Sequence, residues 1–258
     1  MPFRGLVGSN PTLSAMVEEL KFPIRINKYL AHQKVCARRE ADELILAKKV
    51  RINGKIAVLG DKVKENDKVT VDNFKKDLVY LAFNKPKGII THTPQNGEKE
   101  IKDVLAEGPT SPRLRGVNVV PVGRLDKNSS GLIILSNDGR LTDKLLNPEY
   151  NHEKEYVIKV NKDINTSFLN RMADGVKLDD GYVTKKCKVQ KINSEKFLIT
   201  LTEGKKHQIR RMCDALGYGV VNLERRRIMN VKLNSLQSGD YREIKGYELN
   251  ELLKSVGL

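Results

Sequence analysis

The chain has 258 residues, long enough for one sizeable core or two unequal ones, and carries 47 Lys and Arg against 32 Asp and Glu. Its formal net charge of +15 and pI near 9.6 point to a polyanionic partner: nucleic acid is the commonest, an anionic membrane surface the other option. There is no run of about 18 apolar residues, which excludes a membrane-spanning helix. Cys36, Cys187 and Cys213 are odd in number and far apart, which argues against a disulfide framework. Neither they nor His32, His92, His152 and His207 have metal-ligand spacing.

The first 20 residues have no basic head, apolar middle and small-residue cleavage site, so a cytoplasmic protein with a loose leader over 1–20 is expected. From residue 21 to 72 the chain reads as a small module. Ile26, Tyr29 and Leu30 fall at helical spacing, and so do Ala41, Leu44 and Ile45. Val50-Arg51-Ile52-Asn53-Gly54-Lys55 alternates and ends in an Asn-Gly hairpin signal; Lys68-Val69-Thr70-Val71 supplies a closing strand. The module holds 13 basic and 7 acidic residues, which suits an RNA-facing surface. Arg38-Arg39-Glu40-Ala41-Asp42 and Val50-Arg51-Ile52-Asn53-Gly54 resemble the S4 RNA-binding domain. That resemblance implies phosphate contact by Arg38 and Arg39, with Lys34 nearby; arginines at a helix N-terminus add charge to oriented N–H groups. The alternative is i,i+4 pairing of the two arginines with Asp42 and Glu43. Ala37 stands where a Ser is usual in the family, which removes a side-chain cap worth about 1 kcal/mol.

Residues 73–78 are polar and read as a linker. Leu78 to Phe83 alternates like a strand and is stopped at Asn84-Lys85-Pro86-Lys87-Gly88. From Thr93 to Gly116 runs a Gly-, Pro- and charge-rich loop broken by one apolar patch at Val104-Leu105. Then comes the most informative stretch, Gly123-Arg124-Leu125-Asp126-Lys127-Asn128-Ser129-Ser130-Gly131. It sets one carboxylate between two cations in a turn that feeds the apolar run Leu132-Ile133-Ile134-Leu135. A reactive side chain on a loop backed by a rigid strand fits this pattern; so does an Asp that merely favours a turn.

Gly123-Arg124-Leu125-Asp126, followed by Ser130-Gly131-Leu132-Ile133-Ile134-Leu135 and Asn137-Asp138-Gly139, closely resembles the catalytic motif of the RNA pseudouridine synthases, in the RsuA/RluB/RluE/RluF branch that carries an N-terminal RNA-binding module. Lys85 in Lys-Pro-x-Gly is a further feature of that family and by the resemblance a substrate-binding residue. The implied fold is α+β: a small S4 domain of the αL type at 21–72, then a catalytic domain at 79–253 with a mixed, mainly antiparallel sheet flanked by helices.

Further along, Asn137 or Asp138 can cap a helix carrying Leu141, Leu145 and Leu146 that stops at Asn147-Pro148. Glu153 to Val160 reads as a strand with Tyr156, Ile158 and Val160 on one face. The resemblance puts Tyr156 against the target base, where stacking replaces what a flipped pyrimidine loses; an ordinary core aromatic is compatible with the same position. A helix is expected around Phe168-Leu169-Met172, and Val183 to Val189 is similar to the RluF-like subgroup. Ile209, Met212, Cys213 and Leu216 form one helical stripe closed by Gly217. Arg210 lies about 100° from that stripe, at the core edge. The family's matching arginine pairs with the catalytic aspartate; the alternative here is an i,i+4 pair with Asp214. Glu224-Arg225-Arg226-Arg227 reads as a basic cluster ahead of a strand from Ile228 to Leu233, and Gly239-Asp240-Tyr241-Arg242 matches the family's closing motif with Tyr in place of a frequent Trp.

Together these imply isomerisation of a uridine in structured RNA, with 23S ribosomal RNA favoured and tRNA the alternative substrate. Asp126 would act at the ribose as nucleophile or as base at C2′, Arg210 would keep it ionised, and Arg124 would occupy the gap left by the flipped base or hold its phosphate. Ile209 would supply an apolar wall or simply core packing. No second carboxylate is implied, unlike an ordinary glycoside hydrolase. No cofactor is implied, and a monomer is the default. The rival from another class is a non-enzymatic RNA-binding or ribosome-assembly protein with a degenerate catalytic domain.

Overall fold

A computed structural model of the chain describes residues 21–33, 35–36, 38–72, 77–95, 97–107, 117, 119–147 and 150–258. The expected leader, Lys34, the cap position Ala37, most of the linker, part of the loop before Gly116, and Pro148 lie outside the described residues. The rest falls into two compact units, 21–72 and 77–258.

In the first unit, β1 (Ile24–Arg25) leads into α1 (Ile26–His32) and α2 (Arg38–Leu46), followed by β2 (Val50–Ile52), β3 (Lys55–Ile56), β4 (Lys62–Val63) and β5 (Val69–Val71). β2 pairs antiparallel with both β3 and β5, and β1 with β4. Asn53 and Gly54 take φ of 51° and 82°, the paired positive φ values that a two-residue hairpin turn needs. Ile26, Leu30, Ala41, Leu44, Ile45 and Val50 share one buried core, as their spacing predicts. Asp42 accepts a hydrogen bond from Asn27 Nδ2 at 2.9 Å, which joins α1 to α2.

The second unit contains β6 (Tyr80–Lys85), α3 (Ile101–Glu107), β7 (Val120–Val122), β8 (Ser130–Ser136), α4 (Gly139–Leu146), β9 (Lys154–Val160), α5 (Thr166–Asp174), β10 (Lys188–Lys191), β11 (Lys196–Leu201), α6 (Gln208–Ala215), β12 (Val220–Ile228), β13 (Val231–Lys232), β14 (Tyr241–Glu243) and α7 (Gly246–Ser255). Its sheet runs β10-β11-β9-β12-β8-β6-β14, with β13 beside β12 and β7 beside β8. β12 and β8 pair in parallel; the other described pairings of this sheet are antiparallel. The chain is thus α+β with a mixed, mainly antiparallel sheet. No helix among the described residues is long and apolar enough to cross a membrane.

Three of the expected elements differ. β6 does not alternate between buried and exposed; all six residues are buried, because both faces of the central sheet are covered. Tyr80 and Ala82 join the core beneath α4 and α7, while Leu81 and Phe83 join the one that includes Ile101 of α3. Val104-Leu105 belongs to α3, not to a loop. Arg225, Arg226 and Arg227 lie inside β12, which ends at Ile228, and β13 begins at Val231 after a turn.

Candidate active site

β8 is the rigid backing of the central motif. Leu132, Ile133, Ile134 and Leu135 are fully buried, and burying each such side chain contributes about 1.5–3 kcal/mol. Gly131, at the strand's entry, has φ of 105°, and a Cβ there would lie 2.4 Å from the Arg225 carbonyl oxygen. Only glycine lets β12 come this close, and the short parallel pairing of Arg225 with Gly131 depends on it.

The turn carrying Asp126 is held from three sides. Thr91 Oγ1 donates to the Leu125 carbonyl at 2.7 Å and lies 3.0 Å from the Leu125 amide, which donates to it. The Gly88 amide donates to the Lys127 carbonyl at 2.8 Å, and the Ser129 amide to the Asp126 carbonyl at 3.0 Å. Lys127 Nζ pairs with Glu98 at 2.7 Å. With its backbone fixed, Asp126 turns a half-exposed carboxylate into an open cleft of about 1000 Å³. Arg124, Tyr156, Ile209 and Arg210, all expected at the site, line the same cleft, as do Lys154 and Arg225.

Each takes a different place. Tyr156 is half-buried on β9, its ring centroid 6.0 Å from the Arg225 guanidinium carbon, so it both packs on the core and borders the cleft. Ile209 is buried in that core and still reaches the cleft wall. Arg210 does not pair with Asp126 or with Asp214. Its Nη2 donates to the Asn128 carbonyl at 2.8 Å and to Ser129 Oγ at 3.4 Å, so it binds the backbone of the Asp126 turn to α6. Among the described residues, the ion-pair contact seen at the carboxylate is with His207, with Nε2 3.6 Å from Asp126 Oδ1. Lys85, expected to bind substrate, is wholly buried and does not line the cleft; Nζ donates to the Pro86 and Ile89 carbonyls at 2.9 and 2.6 Å. Burial brings the Lys85 ammonium down to about 8, with Asp126 opposing the shift and Arg225 adding to it. Arg38 and Arg39 are exposed at the start of α2 in the first unit, and no ion pair with Asp42 or Glu43 is seen among the described residues.

Arg225 escapes a reading of its run as exposed charge. It is buried: Nε donates to the Leu132 carbonyl at 2.6 Å, Nη1 to the Arg124 carbonyl at 3.4 Å, and Nη2 has no partner. The signal was present, since period-2 alternation puts Arg225 on the face of the buried Leu223. Arg226 and Arg227 are spent on Glu224 and on Glu153 and Glu155. Burial also lowers the Lys154 ammonium, with Arg225 adding to the effect. The Asp126 carboxylate, with Glu98 and Glu203 also on the cleft wall, therefore faces Arg225 and Lys154, cations that burial has stripped of water, an arrangement suited to an anionic or polar ligand. Burial pushes the Cys213 thiol up to about 12 and Cys187 to about 11, so neither supplies a thiolate near neutral pH.

Comparison with known proteins gives a consistent result. A family model described as RNA pseudouridylate synthase matches residues 79–215, and the S4 domain model matches 24–69. The dual-specificity RNA pseudouridine synthase RluF of Escherichia coli is 43% identical over 239 residues, covering 90% of this chain and 79% of that protein. Ribosomal large subunit pseudouridine synthase B of Bacillus subtilis is 34% identical, covering 88% and 95%. A crystal structure of a pseudouridylate synthase superposes with a TM-score of 0.65 at 27% identity, over 89% of this chain and 99% of that one.

Proposed function

The chain belongs to the RNA pseudouridylate synthase family, and from that premise we propose that it isomerises a uridine of 23S ribosomal RNA to pseudouridine, with Asp126 as the reacting carboxylate. The observation that carries this reading is Asp126 itself: one carboxylate, backbone-locked ahead of a buried strand, facing a cleft floored by Tyr156, Lys154 and Arg225. The large-subunit target is supported by the similarity to the ribosomal large subunit synthase of Bacillus subtilis, and the dual specificity of the E. coli relative leaves room for a second RNA, of which tRNA is the alternative considered.

In this reaction the N1–C1′ bond breaks, the uracil turns, and C5 bonds to C1′, after which C5 gives up its proton and N1 takes one up, so that the product is an isomer of uridine. Asp126 acts at the ribose, and both of its candidate roles, nucleophile at C1′ and base at C2′, require an ionised carboxylate. Tyr156 offers a stacking face for the displaced base. Arg225 and Lys154 sit where negative charge on the departing uracil would gather, and a preorganised cation in a water-poor site stabilises such charge far better than water does. Arg210 acts one step removed, through the turn 126–129. The reading carries with it a monomer working in the cytoplasm.

A pseudouridine map of total RNA, from cells with and without the gene and complemented by wild type or Asp126→Asn, tests it. Expected is a ribosomal site that vanishes on deletion and returns only with wild type, while Asp126→Asn still binds RNA. An unchanged map from a protein that still binds RNA would favour an assembly factor. A lost tRNA site alone would move the substrate.

A further inference from the structure

We propose that Tyr150 is a stacking platform for a second nucleotide of the RNA, one beside the target uridine, and that Lys144 meets its phosphate. The proposal rests on the isomerase reading above. A cleft of about 1000 Å³ stands at the top of the usual range for one small ligand, so a single uridine stacked on Tyr156 leaves part of it open. Part of its wall is Leu145, Leu146, Asn147 and His152, from the end of α4 and the segment after it.

Two apolar side chains of this segment stay in solvent. On α4, Leu141 and Leu145 are buried, but Leu146 is 45% exposed and lies against the turn at Gly123, where an added Cβ would come within 2.8 Å of its Cδ2. Tyr150 is 50% exposed. Its ring stacks on His152, with centroids 5.7 Å apart and planes 24° from parallel. His152 is buried and donates from Nε2 to the Lys144 carbonyl at 3.1 Å, so the platform is fixed from behind. With one face on an imidazole that lines the cleft, Tyr150 offers solvent the rest of a flat π surface at the cleft's edge.

Charge decides what fits there. Lys144 Nζ lies 5.4 Å from the Tyr150 ring centroid and 3.5 Å from its Oη, and Lys185 Nζ donates to Asn151 Oδ1, one residue further on, at 2.8 Å. Burial holds the His152 imidazole below its ordinary pKa, so it is neutral near pH 7 and the cations of the stack are lysines. An aromatic face flanked by ammonium groups takes a base and its phosphate together, in a chain whose net charge is +15. An apolar peptide would cover the lysines without neutralising them.

The chain has no tryptophan, which makes Tyr150→Trp a reporter of this position alone. Titrated as the full chain with 23S ribosomal RNA from cells lacking the gene, its fluorescence should be quenched as the base stacks. Tyr247→Trp is the control: Tyr247 is 80% exposed at the head of α7, off the cleft wall, and fluorescence there should not change. In filter binding, Tyr150→Ala should lose about 5- to 150-fold in affinity, the range of one stacked base, with the slope of log K against log salt and the melting temperature both unchanged. Tyr150→Phe, which keeps the ring, should restore the affinity. Lys144→Ala should instead flatten the slope by roughly 0.7–0.9, and an unchanged slope would take the lysine off the phosphate. Unquenched Tyr150→Trp with wild-type affinity in Tyr150→Ala would overturn the proposal; so would a loss of affinity that comes with a lowered melting temperature, which would make the ring a packing residue. If Tyr150→Trp is quenched while wild type forms no pseudouridine in that RNA, the isomerase reading fails and the nucleotide subsite stands.

Discussion

Lys85 shows how little a residue's type says about its role until its surroundings are known. The Lys-Pro-x-Gly stretch suggests a lysine offered to RNA, yet its side chain is buried with its ammonium on two carbonyls. Because the folded chain releases this proton near 8 and the unfolded chain near 10.5, the unfolded state holds more protons across that window. Stability contributed at this position therefore rises with pH from about 8 to about 10.5. Lys85→Met should remove that rise: urea unfolding at pH 7 and 10 should show wild type gaining on the variant by an amount on the order of 2 kcal/mol. Equal pH dependence in the two proteins would mean that the ammonium is not buried. Arg225 teaches the same lesson from the other side, since a cation within a basic run proves to be the floor of the cleft.

At the scale of elements, the cleft depends on Gly131, the second residue of β8. Gly131→Ala combines a strained positive φ with a Cβ driven into the backbone of Arg225, and neither contact can move without separating β8 from β12. The expected cost is about 2–4 kcal/mol, read by chemical denaturation, with a fall in activity as Arg225 shifts. A variant as stable as wild type would show that the two strands can part freely. The far end of β8 is fixed by Asp138, which caps α4 through the Arg140 amide and also takes hydrogen bonds from Tyr80 Oη and the Arg140 guanidinium. Burial alone would raise the Asp138 carboxyl, but those hydrogen bonds outweigh it and hold it below the usual carboxylate range. Its neighbour Asn137 accepts instead from the Val79 amide, at the start of β6. Of the two residues that could have capped α4, one caps the helix and the other ties it to the sheet.

For the whole molecule, a charge of +15 makes the salt dependence of RNA binding the property most easily predicted. Arg38 and Arg39 are exposed, and the alternative pairing with Asp42 and Glu43 is not seen among the described residues. Replacing both with Ala should weaken RNA binding at every sequence alike and flatten the slope of log K against log salt by roughly 1.4–1.8. An unchanged slope in a filter-binding titration would remove them from the interface. Much of this organisation can be read in the sequence, because it rests on local physics. Helical stripes of apolar residues, the Asn53-Gly54 turn, the cap at the head of α4 and the motif around Asp126 each occupy neighbouring positions, and their meaning follows from spacing alone. What only the tertiary structure decided is which charged side chains are buried and what each one meets. Arg210 reaches Asn128 rather than Asp126, His207 takes the place beside the carboxylate, Lys85 is buried and Arg225 lies under the site. The physical reason is range: periodicity says which face a side chain occupies, whereas an ion pair is decided within about 1 Å by the packing of strands and turns that sequence spacing does not encode.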